Sequence, residues 1–326
     1  MRITKNSVLT FPAYFLLVSA ALIIMVTGCK KEKVFTVGII NINPGLASVI
    51  DGFKDGLSRY GFIEGKNITF IYKGILDLDQ VDTVLNDLTA RHVDLILALT
   101  TPIAVKARRA VEETRIPVVF APVLFPLKSG LVKSLTFPGD NITGIQIGGS
   151  TAKALEWHKA AVPETKNIFV PYKPGDETAA QSLSDLKKAA LKLGIKLIIK
   201  EVPTLGDLKT ALESVPREAD SIWLLHSPFL VSNIDLFVNA AMKLKLSLSS
   251  GTSQYKAGVM ISYGQDPYRT GVQASRLAHR ILEGVPPAEL PVETADFLLG
   301  INLKTARAIG VKIPDDVLRQ ADNIVR

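Results

Sequence analysis

The stretch "LILALTTPIAV" (residues 95–105) runs from five apolar residues into two threonines and a proline, and then into a helical pattern. "SIWLLHSPFLV" (residues 221–231) repeats the arrangement in the second half of the chain, so that Leu99-Thr100-Thr101-Pro102 is echoed by Leu225-His226-Ser227-Pro228. A short apolar run closed by polar residues reads as a buried strand. Proline in the first helical turn gives up only an N–H that would lack a partner there, and Thr101 or Ser227 just before it is a favoured N-cap. Each stretch is therefore a strand end passing into a helix start. In an open parallel α/β sheet, ligands sit at that position. The plain reading is two well-capped helices. The functional reading is that Thr100, Thr101, His226 and Ser227 offer hydroxyls and free N–H groups to a ligand from two sides, an anion being the natural guest of helix N-termini.

Outward from these stretches, short runs rich in Val, Ile and Phe alternate with segments of helical period. Strands are predicted over 34–40, 68–72, 95–99, 118–120 and 142–147, with helices over 47–60, 78–92 and 102–113. The alternation restarts with strands over 168–172, 195–201, 221–225 and 259–263 and helices over 178–193, 205–215, 229–244 and 267–283. Repeated βαβ units predict an α/β fold of two Rossmann-like lobes with parallel sheets and a cleft between them. The breaks at Gly148-Gly149-Ser150 and at "SSGTSQ" (residues 249–254) are the expected crossings. This assigns 34–148 plus 252–285 to lobe 1, and 149–251 plus 286–326 to lobe 2.

The composition excludes several classes. Nearly half of the 326 residues are hydrophobic (47%), and no low-complexity tract interrupts them, which argues against disorder. The net charge of +7 comes from lysines and arginines spread singly along the chain, with no basic helix interleaved with aromatics. Nucleic acid is therefore not an expected partner. Residues 1–28 read as a targeting segment: Arg2 and Lys5 are basic, the stretch from Val8 to Val26 is uncharged and apolar, and Val26-Thr27-Gly28-Cys29 closes it. This closing motif resembles the lipobox of bacterial lipoproteins, which makes Cys29 the expected lipidation site and 29–33 a tether. Cys29 is the only cysteine, so no internal disulfide can form. An uncleaved membrane anchor is the alternative. Either way the body is expected outside the cytoplasmic membrane and held to it.

Catalytic signatures are missing. There is no G-x-S-x-G, H-E-x-x-H, G-K-[ST] loop or strand-borne G-x-G-x-x-G, and the four histidines lack metal-ligand spacing. No enzyme activity, cofactor or metal is expected. Other strand ends carry pocket chemistry instead. Asn41 and Asn43 stand in a polar turn before a helix. Tyr172 precedes the turn "KPGDET", in which Asp176, Glu177 and Thr178 open the next helix. Gln254 ends the second crossing loop. Aromatic, amide and hydroxyl groups converging at loops make a small-molecule pocket, while the plain reading of the acids is compensation of the helix dipole.

The sequence resembles the substrate-binding lipoproteins of ABC transporters, in the periplasmic-binding-protein-like subfamily that includes tryptophan- and tyrosine-binding members. The resemblance rests on "DGFKDGLSRYGFIEGKNITFIYK", "TTPIAVKARRA", "IPVVFAPV", "SGLVKSLTFPGDNITGI" and "GVQASRLAHRILEGVPPAELPVE", and spans nearly the whole chain after the targeting segment. It implies a type I-like Venus flytrap that captures a small organic solute between its lobes and delivers it to an ABC permease. It further implies a monomer, lipid-anchored at the periplasmic face or cell surface. The alternative is a periplasmic ligand-sensing module that signals to a membrane receptor. Where the family often reads V-T-D-P-V, this chain has Phe125 in place of the acid, and where relatives often carry Asp-Asn it has His226-Ser227. The expected ligand is therefore neutral or anionic and partly apolar or aromatic, an organic acid or an amino-acid-like solute stacked between Phe125 and Tyr172, rather than a standard zwitterionic amino acid.

Overall fold

The computed structural model describes residues 33–326, so Cys29 and the targeting segment lie outside the described residues. Thirteen described strands form two sheets. The first contains β1 (Phe35–Asn41), β2 (Ile68–Ile75), β3 (Leu95–Ala98), β4 (Val118–Val123), β5 (Ile142–Gln146) and β11 (Glu293–Thr294), in the order β11-β5-β4-β3-β1-β2. The second contains β6 (Asn167–Tyr172), β7 (Lys196–Glu201), β8 (Ser221–Leu224), β9 (Ser247–Ser250), β10 (Ile261–Gln265), β12 (Phe297–Asn302) and β13 (Asn323–Val325), in the order β13-β12-β10-β9-β8-β6-β7. The β10–β12 pair is antiparallel and every other described pairing is parallel. In each sheet the first five strands follow the doubly wound order 2-1-3-4-5. Helices cover both faces, which is why β3, β4 and β8 are buried at every residue and read as unbroken apolar runs rather than alternating ones.

The helices are α1 (Ala47–Arg59), α2 (Val81–Ala90), α3 (Thr101–Ala110), α4 (Ser150–Ala161), α5 (Glu177–Leu193), α6 (Leu205–Glu213), α7 (Pro228–Val231), α8 (Ile234–Leu244), α9 (Pro267–Leu282), α10 (Leu303–Ile309) and α11 (Asp315–Arg319). The two-lobe α/β architecture expected from the sequence is the observed one. The lobe boundaries differ. β10 pairs with β9 and β12 in the second sheet, whereas the sequence reading put 252–285 in lobe 1. β11 pairs with β5 in the first sheet, whereas 286–326 was read as lobe 2. The chain therefore crosses three times, between β5 and α4, between β10 and α9, and between β11 and β12. The reason is edge pairing: β9 leaves a free edge that β10 fills before the chain leaves the lobe, and the two-residue β11 does the same for β5.

After the second crossing, α9 returns to lobe 1 and lies against α1 almost backbone to backbone. A Cβ built on Gly52 would stand 2.0 Å from the Tyr268 carbonyl oxygen, and one built on Gly271 would stand 2.0 Å from that of Val49. The Tyr268 hydroxyl donates to Asp55 across the same junction at 2.9 Å. Small residues in both helices permit this approach, and the sequence reading did not single them out.

Lobe 2 is organised around a buried histidine. His158 of α4 is fully buried, with Nδ1 2.7 Å from Ser249 Oγ and Nε2 3.0 Å from Thr165 Oγ1 and 3.1 Å from Ser221 Oγ. Burial pulls its pKa down to about 4, and the nearby Asp220 charge opposes the shift only in part. The ring is thus neutral near pH 7, and its hydrogen bonds tie α4 to β8 and β9.

Candidate ligand-binding cleft

A cavity of about 650 Å³ opens between the lobes at the carboxyl ends of both sheets. That volume suits a small organic molecule. Lobe 1 contributes Asn43, Gly45 and Leu46 from the turn after β1, together with Pro267 at the start of α9. Lobe 2 contributes the segment from His226 to Phe229, then Val231 and Ser232, the loop from Gly251 to Gln254, and Phe297 at the start of β12. Ile147 and Ser150 flank the first crossing, and Gln265 ends β10.

The geometry of the lobe 2 wall is fixed by caps. Ser227 is the N-cap of α7; its hydroxyl accepts from the Leu230 N–H at 3.3 Å and donates to Asp176 Oδ2 at 2.5 Å. Asp176 is itself the N-cap of α5, its Oδ1 accepting from the Ala179 N–H at 3.0 Å. One serine–aspartate contact thus joins two helix starts, and the aspartate is spent on that task. His226 is half-buried, its N–H donating to Ser182 Oγ at 3.3 Å. Burial lowers the pKa of its imidazole, with the Asp176 charge working the other way. Phe229 presents one ring to the cavity and has the Lys173 ammonium 5.1 Å from its centroid. The loop after β9 is held by the Ser250 hydroxyl, which donates to the Leu224 carbonyl at 3.0 Å and lies 2.8 Å from Thr252 Oγ1. Gly264 lets β10 approach that loop: a Cβ there would come within 2.3 Å of the Ser253 nitrogen.

Of the residues expected at the site, the cavity borders Asn43, His226, Ser227 and Gln254. Asn41 and Thr100 stand at neighbouring strand ends in lobe 1, set back from it. Asn41 is fully buried and its Oδ1 accepts from the Asn43 N–H at 2.8 Å, while its Nδ2 and the Thr100 hydroxyl have no partner among the described residues. Thr100 adopts φ +79°, a backbone state that costs a residue with a side chain on the order of 1–3 kcal/mol. Thr101 opens α3 without bordering the cavity. Tyr172 is half-buried against the lobe 2 core, Glu177 is exposed, and Thr178 lies within the first turn of α5; none of the three borders the cavity. Phe125 lines a separate crevice of about 400 Å³ beside α4 and α5, under the ammonium of Lys128 at 4.5 Å. Phe125 and Tyr172 therefore do not form the expected stacking pair. The aromatic walls are Phe229 and Phe297. The sequence did carry a signal for part of what was missed, because Gln265-Asp266-Pro267 is a third strand end closed by a capping residue and a proline, with Asp266 accepting from the Arg269 N–H. Phe297 had no such marker.

A family model described as ABC transporter substrate binding protein matches residues 35–325. This chain belongs to that family. It is 27% identical over 289 residues to a tyrosine-binding protein of Clostridioides difficile, covering 88% of this chain and 83% of the relative. Among solved structures, it is similar to a conserved domain protein of Vibrio cholerae, with a TM-score of 0.76, 31% identity, and coverage of 90% of this chain and 100% of that one. It is also similar to a Streptococcus pneumoniae ABC domain in complex with L-Trp, with a TM-score of 0.76, 25% identity and the same coverage. Family members are solute-binding proteins rather than enzymes, and the substrate-binding proteins of ABC transporters are extracytoplasmic. Among the described residues, no helix is long and apolar enough to cross a membrane and no cluster of acidic, His or Cys side chains could hold a metal ion.

Proposed function

We propose that this protein is the extracytoplasmic solute receptor of an ABC importer, lipid-anchored through Cys29, which closes its two lobes on a small organic solute and presents the closed form to a membrane permease. The observation that carries the reading is the 650 Å³ cavity at the facing carboxyl ends of two like sheets, walled from both lobes. A solute there gains the contacts of the second wall only when the lobes approach, so binding shifts the population toward the closed form. The short crossings at 147–149, 266 and 296 are the segments that would absorb the rotation. The relatives named for tyrosine and found with L-Trp support a solute of that size.

The test is small-angle scattering of the body, residues 33–326, before and after saturation with a solute identified by thermal-shift screening. The radius of gyration should fall; an unchanged profile at saturation would refute the closure mechanism. The anchor has its own test. Incorporation of labelled palmitate in the producing bacterium should vanish in Cys29→Ala, and persistent labelling would refute the assignment.

A further inference from the structure

Taking solute binding in this cavity as given, we infer that the site is built for a solute without formal charge, one that carries a ring and hydrogen-bonding groups, rather than for a zwitterionic amino acid. Eighteen of the described residues border the cavity, and none of them is Asp, Glu, Lys or Arg. Its only titratable side chain is His226, which burial keeps neutral near pH 7. The charges nearest the wall are already committed. Asp176 accepts from the Ser227 hydroxyl and the Ala179 N–H. Lys173 donates to the Pro203 carbonyl and sits over the ring of Phe229. Asp266 accepts from the Arg269 N–H as the cap of α9.

A free amino acid brings a carboxylate and an ammonium into a cleft that expels water on closing. An ammonium desolvated without an acid to pair it loses more than the remaining contacts return. The carboxylate meets no cation in the lining: the start of α7 is a four-residue turn whose serine hydroxyl proton is already given to Asp176, the start of α9 is capped by the Asp266 carboxylate, and at the start of α4 the Ser150 hydroxyl is given to the Gly251 carbonyl. What the wall does offer is neutral. Among the described residues the Gln254 side-chain amide makes no hydrogen bond, nor does Nε2 of Gln265, whose Oε1 accepts from the Thr270 hydroxyl at 2.5 Å. Phe229 and Phe297 supply apolar faces for a ring. Amide donors and acceptors between aromatic walls match the edge and faces of an uncharged heteroaromatic ring, as in a nucleoside or an amide-blocked aromatic.

Isothermal titration of the body at pH 7.5 against matched probes tests this. The probes are L-tryptophan, N-acetyl-L-tryptophanamide, tryptamine, indole-3-acetate, uridine and adenosine. At least one uncharged probe should bind roughly tenfold or more tighter than L-tryptophan. The isosteric Gln254→Glu should shift the preference toward tryptamine and L-tryptophan, because it places a carboxylate where an ammonium can reach it. Tighter binding of L-tryptophan than of every uncharged probe would overturn the inference and leave solute binding intact. No binding by any probe, nor by a wider library of sugars and amino acids in a thermal-shift screen, would overturn both.

Discussion

Replacing Gly271 by alanine tests the packing that holds lobe 1 together. The new Cβ would stand 2.0 Å from the Val49 carbonyl oxygen and 2.7 Å from the Phe53 nitrogen, both backbone atoms of α1 that cannot swing aside. Restoring ordinary contact of about 3.5 Å requires the helices to part locally by roughly 1.5 Å. That movement loosens Phe53, Ala274 and Ala278, all fully buried in the seam. Overpacking of this kind costs about 1–3 kcal/mol, and a backbone obstacle places it near the upper end. Alanine returns about 1 kcal/mol through its better helix propensity. The net loss is about 2 kcal/mol, which for a body of this size lowers Tm by roughly 3 °C. Gly206→Ala is the control, since its Cβ would meet only the Thr204 hydroxyl at 3.6 Å in the first turn of α6. It should be neutral or slightly stabilising. Thermal unfolding of both variants, followed by circular dichroism, decides the matter. If Gly271→Ala melts no lower than Gly206→Ala, the backbone contact is not what seats α9 on α1.

Asp176→Asn should weaken the joint between α5 and α7, costing about 1.5–3 kcal/mol for a hydrogen bond to a charged group at partly buried positions; urea denaturation would measure it, and unchanged stability would show that the Ser227 hydroxyl finds another partner. Acid should destabilise the protein through His158. Its folded pKa of about 4 lies below the ordinary 6.5, so the unfolded chain binds the proton first, and the stability contributed by the neutral ring is complete above about pH 6.5 and is lost as the pH falls toward 4. The full span is about 3 kcal/mol. Denaturant midpoints at pH 7.5 and pH 5 should differ less in His158→Gln than in the parent, and an equal difference would assign the effect elsewhere. Phe229→Ala should reduce affinity for any ring-bearing solute by roughly tenfold or more while Phe125→Ala leaves it unchanged, and titration showing the reverse would return the site to the crevice beside α4.

The sequence by itself determined the fold class, nine of the thirteen described strands and three of the stretches that border the cavity. Apolar runs such as 95–99 and 118–120 are buried on both faces, so their composition alone declares parallel strands, and a capping residue followed by proline marks a helix start without reference to anything distant. That local chemistry singled out His226, Ser227 and Asn43, and the crossing loop singled out Gln254, all of which border the cavity. It could not say which sheet β10 and β11 join, because pairing depends on which edge is open, and a two-residue strand carries too little pattern to declare itself. Nor could it separate Phe125, which packs beside α4, from Phe229 and Phe297, which face the cavity: an aromatic at a strand end is the same residue whichever gap it fills. Asp176 shows the limit most plainly. As a letter in "KPGDET" it was equally a ligand for an ammonium or a helix cap, and only the arrival of Ser227 from another strand, 2.5 Å away, assigned its charge to the protein's own frame. Local patterns fix what a segment becomes, whereas the position of a side chain in a cleft is set by the long-range pairing of edges and by backbone approach at glycines such as Gly52 and Gly271, which no neighbouring residue announces.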